Sequence, residues 1–169
     1  TLDGLNEQIN MIKGLGEKYP NQEYFVSIVK FDNEIVSLFE DVPASKLKQL
    51  NKSDYQPDAT TALHDAIGIS VNKLKDKIST KLENGEADAF VVILTDGFEN
   101  ASQEFSAEKI KNLIEGLEAT KMWTFTFIGA NQDAVTTAGN LGISYANTAN
   151  FTASGQGSTL AFDALKSSF

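Results

Sequence analysis

The apolar positions of this chain fall into two alternating rhythms, one helical and one extended. Leu2, Leu5, Ile9 and Ile12 recur at spacings of three and four, which predicts an amphipathic helix over about residues 1–19, ended by Pro20-Asn21. Tyr24-Phe25-Val26-Ser27-Ile28-Val29-Lys30-Phe31 is rich in aromatic and β-branched residues and reads as a strand. Asp32-Asn33 reads as a two-residue turn into an antiparallel partner, Glu34 to Phe39. The polar stretch 41–60, with Pro43 and Pro57, reads as a loop with one short helix near Lys46 to Leu50.

The second half repeats the alternation. Leu63, Ile67, Val71, Leu74 and Ile78 predict a helix over about 61–80, and Asn84-Gly85 turns the chain. Ala89-Phe90-Val91-Val92-Ile93-Leu94 is a continuous apolar run, the pattern of a parallel strand buried on both faces. Ile110, Leu113, Ile114 and Leu117 predict a helix over about 106–120 with Ser106 as its cap. Trp123 to Gly129 reads as a further strand, followed by a helix near 133–141 and a short strand around Ile143 to Ala146. Ser158 to Leu165 reads as a final helix. Helices alternating with apolar strands predict an α/β fold with a mostly parallel sheet.

Composition adds exclusions. The 169 residues suit a single domain able to bury its own core, with 41% hydrophobic and 22% charged residues. No apolar run approaches the length of a membrane-spanning helix, and Thr1-Leu2-Asp3-Gly4 does not read as a signal peptide. Twenty-three acidic residues against 14 basic ones give a net charge of −9, and every basic residue is Lys. An acidic domain repels nucleic-acid backbones and anionic membranes, and without Arg there is no bidentate clamp for phosphate. The absence of Cys removes thiol nucleophiles and Cys-based zinc sites.

Ligands of open α/β sheets bind beyond the carboxyl ends of the strands. Asp96 directly follows the most apolar strand, and Gly97 allows a sharp turn there. A second candidate is the Asp58-Ala59-Thr60-Thr61 run before the helix stripe. Carboxylate and hydroxyl oxygens at such an edge suit a hard cation such as Mg²⁺. The plainer alternatives are that Asp96 only shapes a turn and that Thr60 or Thr61 only caps the helix.

The runs Thr60-Thr61-Ala62-Leu63-His64-Asp65-Ala66-Ile67 and Val91-Val92-Ile93-Leu94-Thr95-Asp96-Gly97-Phe98-Glu99-Asn100 resemble those of von Willebrand factor type A domains. The segment Phe125-Thr126-Phe127-Ile128-Gly129-Ala130-Asn131-Gln132-Asp133 resembles a bacterial and phage subgroup. The likeness runs in order from the first helix to about Ile143. It implies a doubly wound, Rossmann-like sheet with one antiparallel edge strand and helices on both faces. It also implies a metal-ion-dependent adhesion site binding Mg²⁺, or Mn²⁺ or Ca²⁺. By motif register Thr61 and Asp96 are the metal ligands, with Thr60 the alternative if the register slips by one. Asp65 would order the loop around Thr61, and Asn100, with Glu99, would stand near the metal's waters. The implied activity is binding: an acidic group of a partner protein completes the metal's shell. The resemblance points to a bacterial cytoplasmic protein, with cell-surface display as the alternative.

One departure stands out. The Asp-x-Ser-x-Ser loop of the family, and the strand before it, are absent from these residues. The expectation is a domain incomplete at its amino end, with about 10–20 further residues upstream or a strand from another chain, and a metal held only once that loop is supplied. Loss of a central strand splits a sheet and strands backbone groups, at roughly 1–3 kcal/mol each. The competing classes are a small Mg²⁺-dependent α/β hydrolase using Asp96 and a type A scaffold that binds partners without metal. Against the hydrolase, His64 is the only His, no second acid stands at a useful spacing from Asp96, and no Gly-x-Ser-x-Gly elbow exists. Gly155-Gln156-Gly157-Ser158-Thr159 lacks the Lys of a phosphate loop and reads as a loop and cap.

Overall fold

The computed structural model describes residues 2–54, 60–130 and 133–151. The expected helix at 158–165, the 155–159 loop, Asp58 and Asn131-Gln132 lie outside them. Helices and strands alternate along the chain as α1 (Leu2–Lys18), β1 (Phe25–Phe31), β2 (Ile35–Pro43), α2 (Leu63–Glu83), β3 (Ala89–Thr95), α3 (Ala107–Glu118), β4 (Trp123–Ala130), α4 (Ala134–Asn140) and β5 (Thr148–Phe151). Short 3-10 turns cover Ala44–Lys46 and Tyr145–Asn147. The fold class is α/β. No helix among the described residues is long and apolar enough to cross a membrane.

The strands fall into two sheets: an antiparallel pair β1-β2 and a parallel sheet in the order β3-β4-β5. Among the described residues no ladder joins the two. The hairpin turn is one residue longer than expected. Phe31 pairs with Ile35, so Asp32, Asn33 and Glu34 form the loop, closed by Asp32 N–H donating to the Glu34 carbonyl at 3.0 Å. The β2 strand also runs on to Pro43, with irregular register opposite Val26–Val29. Asp41 in this stretch takes a left-handed φ of 53°, and its N–H donates to Ser27 Oγ at 3.0 Å. That combination marks a bulge, which twists and ends a pairing.

Two cores match the two sheets. The stripe of α1 packs Ile9 into a cluster with Ala44, Leu47 and Leu50, flanked by Val26, Ile28 and Phe39 of the hairpin. Asn6 fastens the end of that cluster, donating to the Leu50 carbonyl and accepting from the Leu50 N–H. The larger core gathers Leu63, Ile67 and Val71 of α2, Ile93 of β3, Ile110 and Ile114 of α3, and Phe125 and Phe127 of β4. Phe31 at the end of β1 packs against this larger core. Ion pairs from Lys73 to Glu40 at 2.8 Å and Lys77 to Asp41 at 2.9 Å also link α2 to the hairpin, but both are exposed and contribute little.

Two further expectations change. The β3 run is not buried on both faces: Ala89 and Ile93 are buried, while Val92 is 41% exposed. The last short strand is Thr148–Phe151 rather than 143–146, because Ile143 lies in the cap that follows α4. Gly142 takes φ 78° there, its N–H donates to the Gly139 carbonyl, and the Ile143 N–H donates to the Ala138 carbonyl. This left-handed glycine cap carries Ile143 back into the core, where it is 3% exposed. Ser106 caps α3 as expected, accepting from Lys109 N–H at 3.3 Å.

Candidate functional site

The parallel register aligns Thr95 with Gly129 and Ala130 with Phe151, so β3, β4 and β5 end at one rim. The end of β1 reaches the same rim, because the Ala62 N–H, just before α2, donates to the Asp32 carbonyl at 2.8 Å. Both sequence-predicted metal ligands stand there. Asp96 leaves the end of β3 and is exposed. Thr61 lies against the next residue: a Cβ built on Gly97 would sit only 2.5 Å from Thr61 Oγ1. Only a glycine lets the backbone after Asp96 approach the Thr61 hydroxyl this closely. The two ligand positions, 35 residues apart in sequence, are therefore adjacent in space.

Neither hydroxyl serves the role that would explain it away. The residue before α2 is Ala62, and no side chain caps the helix from that position. Thr60 Oγ1 is buried and has no hydrogen-bond partner among the described residues. A buried hydroxyl without a partner is costly and uncommon. The turn after β3 is also not made by Asp96. Thr95 Oγ1 accepts from the Gly97 N–H at 3.2 Å and donates to the Gly97 carbonyl at 3.1 Å, leaving the Asp96 carboxylate without a hydrogen bond among the described residues.

The loop 96–105 is tied to the first turn of α2 by side chains. Asn100 brackets Thr61: its Oδ1 accepts from the Thr61 N–H at 2.9 Å, and its N–H donates to the Thr61 carbonyl at 3.1 Å. Glu99 turns inward. One carboxylate oxygen accepts from the N–H groups of Ala101 and Ser102, the other from the His64 N–H at 2.9 Å and Ser102 Oγ at 2.7 Å. Ser102 Oγ in turn accepts from the Asp65 N–H at 3.1 Å. The open N–H groups at the start of α2 are thus satisfied from a distant loop, with a carboxylate at the positive end of the helix. Glu99 is fully engaged in this way, which places it away from the metal-facing role considered for it.

Asp65 is buried and takes three N–H groups, from Gln103 at 2.7 Å, Glu104 at 3.0 Å and Phe105 at 2.8 Å. It therefore orders the far end of the Asp96 loop, while Asn100 orders Thr61. Burial works to raise the Asp65 carboxyl, but the backbone donors of Gln103, Phe105 and Glu104 outweigh it and hold the group below its ordinary value. Glu99 follows the same pattern: burial raises it, and donors from Ser102, His64 and Ala101 bring it below the usual carboxylate range. His64 Nδ1 stands 3.7 Å from Glu99 Oε2, so the only histidine faces this staple. Asp32 shares the rim but is committed to its own turn, accepting from the Glu34 N–H at 2.7 Å, with Lys30 Nζ at 3.4 Å.

The donor set fits a hard cation in kind: one free carboxylate, one hydroxyl against Gly97 and one buried orphan hydroxyl. Among the described residues there is no cluster of three or more His, Cys, Asp or Glu able to hold a metal, so any ion here depends on hydroxyls, water and groups beyond these side chains. Thr61, Asp65, Asp96 and Asn100 were singled out in the sequence. Glu99 and Ser102 as helix caps, and Gly97 as the point of close approach, were not. Their partners lie 35 or more residues away, and no local pattern signals them.

No protein-family model matches the chain, and no curated protein matches it by sequence.

Proposed function

We propose that the chain is a von Willebrand factor type A-like protein-binding module that engages an acidic group of a partner through a divalent cation at the strand rim. The observation that carries this reading is the placement of Thr61 Oγ1 against Gly97, next to an Asp96 carboxylate that has no hydrogen bond among the described residues. Thr61 and Asp96 would hold Mg²⁺, with Thr60 Oγ1 the further oxygen nearest in sequence. Asn100 and Asp65 would hold the two ligand segments in place, a role that governs affinity without touching the ion. The bound ion supplies positive charge where this −9 chain has a surplus of negative charge, so that a partner carboxylate can approach. The proposal includes a doubly wound sheet, which needs one further strand to join the β1-β2 and β3-β4-β5 ladders. It also includes a bacterial, cytoplasmic setting.

The reading is a binding function rather than a hydrolytic one. Asp65, Glu99 and Asp32 are each committed to backbone donors, and His64 faces Glu99, which leaves Asp96 without a partner acid or base among the described residues.

Calorimetric titration with Mg²⁺ tests the site. The full-length wild type should bind one ion, and Asp96→Ala should lose that binding with a melting temperature close to wild type, because the residue is exposed and has no hydrogen bond among the described residues. Equal Mg²⁺ binding by both proteins would remove Asp96 from the site. No binding by the wild type would favour a metal-free scaffold.

A further inference from the structure

The loop that presents Asp96 also presents an aromatic ring. Phe98 is 64% exposed, more than any other large apolar side chain described near this rim. Its exposure does not come from a loose loop. On one side the Thr95 hydroxyl closes the turn at Gly97, and on the other Glu99 and Asn100 are bonded to the start of α2. Along this segment exposure alternates: Asp96, Phe98 and Asn100 face out, while Gly97 and Glu99 are half-buried. A ring held outward by a pinned backbone loses little entropy when a partner covers it, which is the property of a binding anchor. A second exposed apolar side chain, Val135, begins α4 over the neighbouring strand, where Ala134 packs against Gly129 at the same rim.

We propose that Phe98 is the apolar half of the docking surface, so that the partner is a peptide segment presenting a carboxylate beside a large apolar side chain. This rests on the metal-site reading of Thr61 and Asp96. The carboxylate would meet the cation, and the neighbouring side chain would cover the Phe98 ring and exclude water from the contact. An aromatic ring carries enough area for that contact to dominate the choice among acidic partners.

Two fluorescein-labelled hexapeptides test it, each with a single glutamate and differing only in leucine or serine beside it. Fluorescence anisotropy is measured on the full chain with saturating Mg²⁺, and Mg²⁺ binding is measured separately by calorimetry. The wild type should bind the leucine peptide about tenfold or more tightly than the serine peptide. Phe98→Ser should erase that preference while still titrating with Mg²⁺, and Phe98→Leu should keep most of it. Asp96→Ala should lose both peptides together with the ion. If Mg²⁺ binds as expected but the wild type fails to prefer the leucine peptide, or Phe98→Ser retains the preference, the role of Phe98 is overturned and the metal site stands. If the wild type fails to bind Mg²⁺, or Asp96→Ala binds it normally, the underlying site is overturned as well.

Discussion

Gly97→Ala probes the contact on which the site depends. The added Cβ would stand 2.5 Å from Thr61 Oγ1, about 0.9 Å inside the 3.4 Å at which ordinary contact begins. Gly97 is not among the glycines with positive φ, so alanine meets no backbone strain there. The other near atoms, Thr61 Cβ at 3.6 Å and Cγ2 at 3.7 Å, are at normal distance. The conflict is therefore with one oxygen, and one rotation of Thr61 χ1 relieves it. Such a rotation costs about 1 kcal/mol or less, well below the roughly 1–3 kcal/mol of a true overpacking. A domain of this size should then lose only about 2–4 °C in melting temperature. Mg²⁺ affinity should fall by about tenfold or more, since the hydroxyl has left its place beside Asp96. Thr61→Ala should weaken Mg²⁺ similarly, and the double variant should be no worse than either single one, because both remove the same oxygen. Denaturant melts give the stability, and calorimetry gives the affinity. Wild-type Mg²⁺ affinity in Gly97→Ala, or strict additivity in the double variant, would refute the argument.

Two other perturbations address the scaffold. Asp65→Ala leaves three N–H groups, of Gln103, Glu104 and Phe105, without their acceptor. At about 1 kcal/mol for each lost bond, urea unfolding should show a loss of about 3 kcal/mol, and hydrogen exchange should speed up at residues 103–105. Stability should also fall in acid. The Asp65 and Glu99 carboxyls sit below their ordinary values of 3.8 and 4.5 in the folded chain, so the unfolded chain binds protons first as pH drops. Their contribution is complete above about pH 5 and is lost progressively below the ordinary values, as pH falls toward the folded ones. Asp65→Asn should flatten that part of a stability profile measured from pH 6 to pH 2; an unchanged slope would show that Asp65 is not a source of it.

Much of the fold was present in local pattern. The three-and-four spacing of Leu2, Leu5, Ile9 and Ile12, and of Leu63, Ile67 and Val71, marks helices because one face must be buried whatever the partner. The β-branched and aromatic runs at 25–31, 89–95 and 123–130 mark strands for the same reason, and Ser106 caps α3 through a bond that spans only three residues. Thr61 and Asp96 were legible as oxygen donors at element ends.

Tertiary structure alone decided which of these pieces meet. Periodicity cannot say that β1 and β3 belong to separate ladders, because pairing is a long-range choice that side-chain alternation does not encode. It read Ile143 as strand, whereas a left-handed Gly142 returns that side chain to the core as part of a helix cap. It left Thr60 or Thr61 open as a plain cap of α2, whereas Glu99 and Ser102 serve the helix start from a loop beyond β3. With the helix start served from that loop, and the turn after β3 made by Thr95, the Thr60 hydroxyl and the Asp96 carboxylate have no hydrogen bond among the described residues. A sequence names the donors and acceptors, but which of them are used up is settled only when distant segments are brought within hydrogen-bonding distance.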